Sequence, residues 1–249
     1  MKLACLRAGL VGLILALAIS TAEAAVITWG QPSQISGDGD VSTDGTLVVA
    51  ANLGHAATTV NGVTFQELAV GNQVNTLGNA TLSAVSGTVN SGGSGSMAAP
   101  FANLSASYRA LLDVKVASDQ MILSFSGLSV GGQYQVEVWN NESRSWHPPH
   151  FTFSARFTAG NSVDLDPNTS IDEGGLGEYV IGTFVADSSS QQIDITGDEI
   201  GAVFNAFQLR QISAAPLRAA PTASTAGVLV LCLGLLLAGV MGLSRRAWE

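Results

Sequence analysis

Residues 139 to 150 read Trp139-Asn140-Asn141-Glu142-Ser143-Arg144-Ser145-Trp146-His147-Pro148-Pro149-His150. Two of the four tryptophans and two of the three histidines fall in this stretch. An indole face stacks on the CH-rich face of a pyranose, while amide, guanidinium and imidazole groups take up its hydroxyls. Small-ligand sites combine apolar walls with a few placed polar groups in this way. Trp139, Asn140, Asn141, Arg144, Trp146 and His147 are therefore read as a carbohydrate contact set. The plainer alternative packs the tryptophans at a strand end and leaves the rest in water. His147 and His150, separated by Pro148 and Pro149, are of the ligand type for a transition metal, but no third ligand lies near them in sequence.

A second constellation is Asp38, Asp40 and Asp44, with Gly39 and Gly45 interleaved. Aspartates at alternate positions followed by glycine suggest a calcium loop. Val41, Thr43 and Val49 break the EF-hand ligand pattern, so an EF-hand is rejected. What remains is a structural calcium of another geometry, or Asx-type turn residues. Asp164, Asp166, Asp172 and Glu173 form a second acidic cluster open to the same two readings, and Asp164 with Asp166 is also a carboxylate pair of the sort used in glycoside hydrolysis. The sequence holds no Gly-x-Ser-x-Gly elbow, no His-Glu-x-x-His and no Walker-type loop. The expected function is accordingly a non-enzymatic surface module with carbohydrate-binding loops. The alternatives are a secreted hydrolase whose site no motif discloses, and a purely structural or adhesive matrix protein.

These residues must be positioned by a domain spanning residues 25–213. It carries 17 acidic residues against five basic ones, a net charge of −12, which argues against nucleic acid as a partner. Both cysteines, Cys5 and Cys232, lie outside it, so its stability must come from its core. Short β-favouring runs separated by Gly, Asn, Asp and Ser predict an all-β fold. Asn61-Gly62 between residues 58–60 and 63–68 predicts a tight hairpin. Leu104, Tyr108, Leu111 and Leu112 at helical spacing, with Ser105 to cap them, predict one short helix. Residues 133–139 alternate, with Tyr134, Val136 and Val138 on one face and Gln135, Glu137 and Trp139 on the other. Residues 179–186 are apolar nearly throughout and should form a central strand. The Gly/Ser-rich residues 86–96 are expected to be a mobile loop. The sum is a two-sheet, jelly-roll-like β-sandwich of about ten strands with one short helix.

The ends of the chain address this domain to a membrane. Lys2 and Arg7 precede an apolar run, and Ala22 and Ala24 are the small residues a signal peptidase reads, so residues 1–24 are a signal peptide cleaved after Ala24. Residues 226–243 carry no charge, no Pro and no amide side chain. As a helix they span about 27 Å, close to the hydrocarbon thickness of a bilayer. Arg245 and Arg246 follow in the basic segment 244–249 and place the C-terminus in the cytoplasm, a type-I arrangement. The linker 214–225 holds Pro221, Ser224 and Thr225. Together these residues, the span and the arginine pair resemble the tail of PEP-CTERM proteins. Thr222 and Ala223 stand where that pattern has Glu and the second Pro. The resemblance implies recognition by an exosortase and export to the cell surface or extracellular matrix, where the carbohydrate contact set would meet extracellular polysaccharide as a partner. It leaves two fates, a permanent anchor or a released domain. Residues 27–30, 40–43, 60–65 and 176–184 are similar to stretches of cargo domains found ahead of such tails, which implies the fold and export and no chemistry.

Overall fold

The computed structural model describes residues 24–144, 154–197 and 201–213. The signal peptide up to Glu23, the linker, the membrane span and the basic tail lie outside the described residues; Ala24 is the first of them. In chain order the strands are β1 (Thr28–Trp29), β2 (Ser33–Gln34), β3 (Thr46–Leu53), β4 (Thr58–Val60), β5 (Val63–Leu68), β6 (Val74–Leu77), β7 (Ala80–Ala84) and β8 (Asn90–Gly93). Helix α1 (Ala106–Leu112) follows, then β9 (Val114–Ser118), β10 (Gln120–Ser126), β11 (Gln133–Asn140), β12 (Ala155–Ala159), β13 (Asn161–Leu165), β14 (Glu178–Val185), β15 (Ser190–Gly197), β16 (Ala202–Phe204) and β17 (Ala206–Ser213). The fold is thus almost entirely β with one short helix. The expected ten strands are exceeded because several are only two to four residues long.

Two sheets form a β-sandwich. Sheet one runs β1-β14-β11-β17-β3-β5-β4, with β2 also paired to β14, and sheet two runs β13-β12-β15-β10-β7-β6. Every pairing is antiparallel except β3 with β5. Tyr134, Val136 and Val138 of β11, with Phe207 and Leu209 of β17, meet Leu123 and Phe125 of β10, Phe157 of β12, and Ile193 and Ile195 of β15 in one core. Phe125 and Phe207 close the gap between the sheets edge to face at 5.7 Å. A small third sheet, β16-β9-β8, packs Phe204 and Val116 into the same core.

Sheet one has a second buried face. There Phe65, Tyr108, Leu111, Leu112, Trp139 and Ile35 form a separate core beneath α1 and the segment leading from β2 to β3. Helix α1 forms as its sequence predicts: Ser105 accepts a hydrogen bond from Tyr108 N at 3.1 Å, and Leu104, Tyr108, Leu111 and Leu112 are buried. Fully burying one large apolar side chain contributes about 1.5–3 kcal/mol, so Phe65, Tyr108 and Trp139 alone hold this cover down firmly. The consequence is that β11 is buried from Tyr134 to Asn140, and it, with β17, is central. Strand β14 lies one place from the short edge strands β1 and β2, not at the centre.

Two other expectations are settled here. The hairpin β4–β5 has the predicted boundaries, with Asn61 at φ 48° and Gly62 at φ 76°, as a two-residue turn with positive φ at both positions requires. The Gly/Ser-rich segment is not wholly a loop. Asn90–Gly93 pairs with β9 through Gly92↔Lys115 and Gly93↔Val114. That pairing uses only backbone groups, so side-chain propensity does not report it.

Two glycines separate backbone strain from collision. Both Gly45 and Gly62 have positive φ, but a Cβ at Gly62 meets nothing within 4 Å, whereas at Gly45 it falls 2.3 Å from the Gln211 carbonyl oxygen. Gly62→Ala should cost about 1–2 kcal/mol for the left-handed backbone alone, and Gly45→Ala more than that. Urea unfolding would read the order, and equal losses would contradict it.

Candidate functional site

The aspartates expected as calcium ligands sit in a strap, residues 36–45, that covers the outer face of sheet one. Asp40 is buried and accepts hydrogen bonds from Ser36 N at 2.7 Å, Ser36 Oγ at 2.6 Å, Gly37 N at 3.0 Å and the Tyr108 hydroxyl at 2.9 Å. Asp38 accepts from Ser105 Oγ at 2.6 Å and so ties the strap to the start of α1. Asp44 is exposed, and it is its backbone oxygen that is engaged, by Arg210 Nε at 2.6 Å. Among the described residues no three His, Cys, Asp or Glu side chains converge as a metal would need. Asp40 and Asp38 instead accept protein donors in a loop that pins itself to the sheet, and Asp44 is exposed.

The place of Trp139 in the ligand set is corrected. It is fully buried and stacks on Tyr179 and edge-on to Phe65, with ring centroids 6.4 Å and 5.5 Å away. Its Nε1 donates to the Tyr108 hydroxyl at 3.1 Å, which in turn donates to Asp40. The indole has no face left for a sugar. Burial, and then the adjacent Asp40 carboxylate, raise the Tyr108 hydroxyl well above its ordinary pKa, which keeps it a donor in this relay.

Beside the relay lies Glu137, which the alternation put on one face with Gln135 and Trp139 and which is fully buried. Its Oε2 accepts from Ser42 N at 3.1 Å and Gln208 Nε2 at 2.5 Å. Its Oε1 has no hydrogen-bond partner among the described residues. Burial raises its pKa to about 7; the Asp40 charge adds to the rise, while the Gln208 and Ser42 hydrogen bonds and the Arg210 charge oppose it. Arg210 donates to the backbone oxygens of Thr43, Asp44 and Gly45 and to Gln208 Oε1, closing the strap over Glu137.

A second network forms the stem of the tryptophan- and histidine-rich segment. Asn140, Asn141, Glu142 and Ser143 are all fully buried, which removes Asn140 and Asn141 from the ligand set. Asn205, between β16 and β17, accepts from Asn141 N at 2.6 Å and donates to Ser94 Oγ, Leu112 O and Val114 O. Asn141 accepts from Gly177 N at 3.1 Å. Asn168 donates to Glu142 O at 3.0 Å. The Glu142 carboxylate is held by Lys115 Nζ and by a two-pronged contact from Arg144, Nε at 2.7 Å and Nη2 at 2.6 Å. Burial lowers the Lys115 pKa, and Glu142 pulls it back up. Asn140 Nδ2 reaches Leu165 O at 3.2 Å, and Leu165 pairs with Ala155, so β13 ties together the two points where residues 145–153 leave and rejoin the fold. Trp146, His147 and His150 lie outside the described residues. Arg144, half-buried at the rim, is the one described member of the set that reaches the surface.

Three organisers were not legible as such: Asp40 had the pattern of a calcium loop or Asx turn, and the only signal of Glu137 and Asn205 was polarity inside β-prone runs, which reads equally well as a solvated face. On sheet two, Arg156 and Asp164 form an exposed bidentate pair at 2.7 and 2.8 Å. This pairing engages the Asp164 carboxylate, read above as half of a glycosidase pair, with a cation.

No family model matches the chain, and no curated protein matches it. Among solved structures, a β-glucuronidase from Bacteroides uniformis with a covalently bound cyclophellitol-type aziridine is similar over 66% of this chain, with 14% identity and a TM-score of 0.44. The chain spans only 18% of that enzyme. A carbohydrate-binding module of the β-sandwich superfamily is similar over 59% of this chain and 71% of its own, with 12% identity and a TM-score of 0.16. Both likenesses are too slight to carry an argument about ligand or activity.

Glu137 gives a pH dependence with a definite sign. The folded state holds its proton more tightly than the unfolded chain, so its stabilising contribution is complete below about pH 4.5 and is lost as pH rises through about 7. Glu137→Gln keeps an acceptor for Ser42 and Gln208 without the charge. Its thermal midpoint, relative to wild type, should rise between about pH 5 and about pH 8; a constant difference across that range would contradict the assignment. Glu142→Ala strands the buried Lys115 ammonium and should cost about 3–5 kcal/mol. Arg144→Ala, which leaves the Lys115 pair intact, should cost clearly less in the same denaturation series.

Proposed function

We propose that this chain is an exported, non-enzymatic, jelly-roll-like β-sandwich of the cell envelope or extracellular matrix that binds carbohydrate at the rim where residues 145–153 emerge. The observation that carries the reading is the buried network around Asn141, Glu142 and Asn205. Burying a carboxylate with a lysine and an arginine adds little net stability and fixes geometry instead. Here the geometry it fixes is the stem of the segment bearing Trp146 and His147, and binding residues are commonly set on loops held by a rigid scaffold. Arg144 stands at the near end of that segment with its guanidinium oriented by Glu142. The stacking and hydrogen-bonding groups a sugar requires are thus adjacent in sequence to a fixed support. The non-enzymatic part of the reading is supported by the buried carboxylates: Asp40 and Glu142 accept several protein donors each, and Glu137 is sealed beneath the strap.

Export and attachment belong to the same proposal. The signal peptide, the span at residues 226–243 and the arginine pair at 245–246 deliver the domain to the outer face of a membrane. An exosortase that reads Pro221, Ser224 and Thr225 sorts it further. Wild-type full-length chain on a glycan array should bind a restricted set of oligosaccharides, and Trp146→Ala should abolish that binding with an unchanged thermal midpoint. A wild-type protein that binds no glycan would overturn the carbohydrate reading.

A further inference from the structure

Residues 36–45, the strap over sheet one, read Ser-Gly-Asp-Gly-Asp-Val-Ser-Thr-Asp-Gly. They hold three aspartates, no cation and a single apolar side chain, Val41, which is buried in the second core. Segments with so few buried apolar contacts open locally at lower cost than the strands beneath them. Polar fasteners hold the strap instead. Asp38 and Asp40 reach α1 through Ser105 and Tyr108, and Val41 O accepts from Asn61 Nδ2 at 2.8 Å. Ser42 is fastened twice: its N–H donates to Glu137, and its carbonyl accepts from Gln208 Nε2 at 3.0 Å. Arg210 takes the carbonyls of Thr43, Asp44 and Gly45. Of these fasteners, Glu137 is the carboxyl that lies beneath the strap. From this arrangement we infer that residues 36–45 are a latch set by the protonation of Glu137, closed over a neutral carboxyl and released when that carboxyl ionises.

Register gives the latch its sign. Glu137 lies directly opposite Gln208 across β11 and β17, and Gln135 opposite Arg210, so the four side chains share the face that the strap covers. Glu137 Oε2 takes both donors, Ser42 N and Gln208 Nε2, and Oε1 has none among the described residues. A buried carboxylate in its charged form requires more than that. Its neighbours do not supply the missing charge. The strap brings Asp40, whose charge acts against ionisation of Glu137, and carries Asp44 at its exposed end. Tyr108 of α1 and Tyr179 of β14 are kept protonated by burial and by the Asp40 and Glu137 charges. Arg210 is the cation among them, and its hydrogen bonds go to the three strap carbonyls and to Gln208 Oε1. Ionisation therefore sets Glu137 against Asp40, and lifting the strap separates the two and admits water to Oε1. The competing arrangement is a swing of the Gln135 amide, whose Nε2 is also buried without a partner among the described residues, onto Oε1 with the strap still closed. Burial raises the Glu137 pKa to about 7 beneath the strap, against 4.5 for a free carboxyl. The closed strap is thus fully favoured below about pH 4.5 and loses that advantage as pH rises through about 7.

Hydrogen exchange of the full-length protein, corrected at each pH for the intrinsic exchange rate, reads the latch through the amides of residues 36–45. Their protection should fall about tenfold or more between about pH 5 and about pH 8. Because the opening is local, their protection at about pH 8 should be insensitive to low concentrations of urea. The amides of β11, which exchange by global unfolding, should lose protection steeply in the same urea series. Glu137→Gln keeps an acceptor for Ser42 and Gln208 and should retain its protection of residues 36–45 at about pH 8. Wild-type strap protection that is constant across the pH range, or that rises with pH as the Gln135 swing requires, would overturn the inference. So would strap amides that follow urea as steeply as those of β11, since the pH effect would then belong to the whole domain. The wild-type series decides by itself, however well Glu137→Gln folds.

Discussion

Strand β11 is buried on both faces, and the rest of the domain is arranged around that fact. One face carries Tyr134, Val136 and Val138 into the inter-sheet core. The other carries Gln135, Glu137 and Trp139 under α1 and the strap. Polar groups taken out of water must find partners or be strongly disfavoured. The indole N–H finds Tyr108, Tyr108 finds Asp40, and Asp40 gathers the backbone of residues 36 and 37. Glu137 finds Ser42 and Gln208, and Arg210 gathers the backbone of residues 43 to 45. The strap is therefore built from the requirements of β11. Two of its aspartates, Asp38 and Asp40, serve to hold it against the sheet.

The second polar network answers the same requirement at the end of β11, where the strand stops but burial does not. Residues 140 to 143 leave the sheet within the protein interior, so their backbone groups need partners from outside any ladder. Asn205, Asn168 and Ser94 supply them, and Lys115 with Arg144 neutralises Glu142. An apolar alternative of the same volume could be as stable. What a polar network adds is a single backbone path, because each amide and carboxylate accepts only one arrangement of neighbours. Both networks therefore convert buried polarity into fixed loops, one covering the sheet and one launching the segment with Trp146 and His147.

What the sequence discloses follows from the range of the interactions involved. The β4–β5 hairpin depends on Asn61 and Gly62 alone, and α1 depends on Ser105 and four apolar residues within nine positions, so both were legible. The alternation in β11 correctly divided its side chains between two faces. It could not say that the face with Gln135, Glu137 and Trp139 is covered, because the cover comes from Asp40, Ser42 and Tyr108, which are distant in the chain. A buried Glu held by Gln208 has the same local pattern as a solvated one. Strand β8 was hidden for a different reason: Gly92 and Gly93 pair through backbone groups that every residue type possesses. The site suffered most, since Trp139, Asn140 and Asn141 were chosen by residue type and it is burial that decides whether a residue type can meet a ligand.

The two outer faces of the sandwich consequently divide the work. Sheet one holds its polar side chains inward, where Asp40 and Tyr108 complete one another, while Glu137 Oε1, Gln135 Nε2 and Asn52 Oδ1 are buried without a hydrogen-bond partner among the described residues. Sheet two turns Thr76, Thr81, Ser124, Gln192, Thr158, Arg156 and Asp164 outward in cross-strand register, with no lysine among them. Short hydroxyl side chains lose little conformational freedom when they are engaged, whereas lysines would have to be immobilised and desolvated. Arg144 and Ser154 stand on either side of residues 145–153 in the chain, and β13 joins their strands through Leu165. The exposed polar row of Asp164, Arg156 and Thr196 thus borders that junction, while the outer face of sheet one is sealed by α1 and the strap.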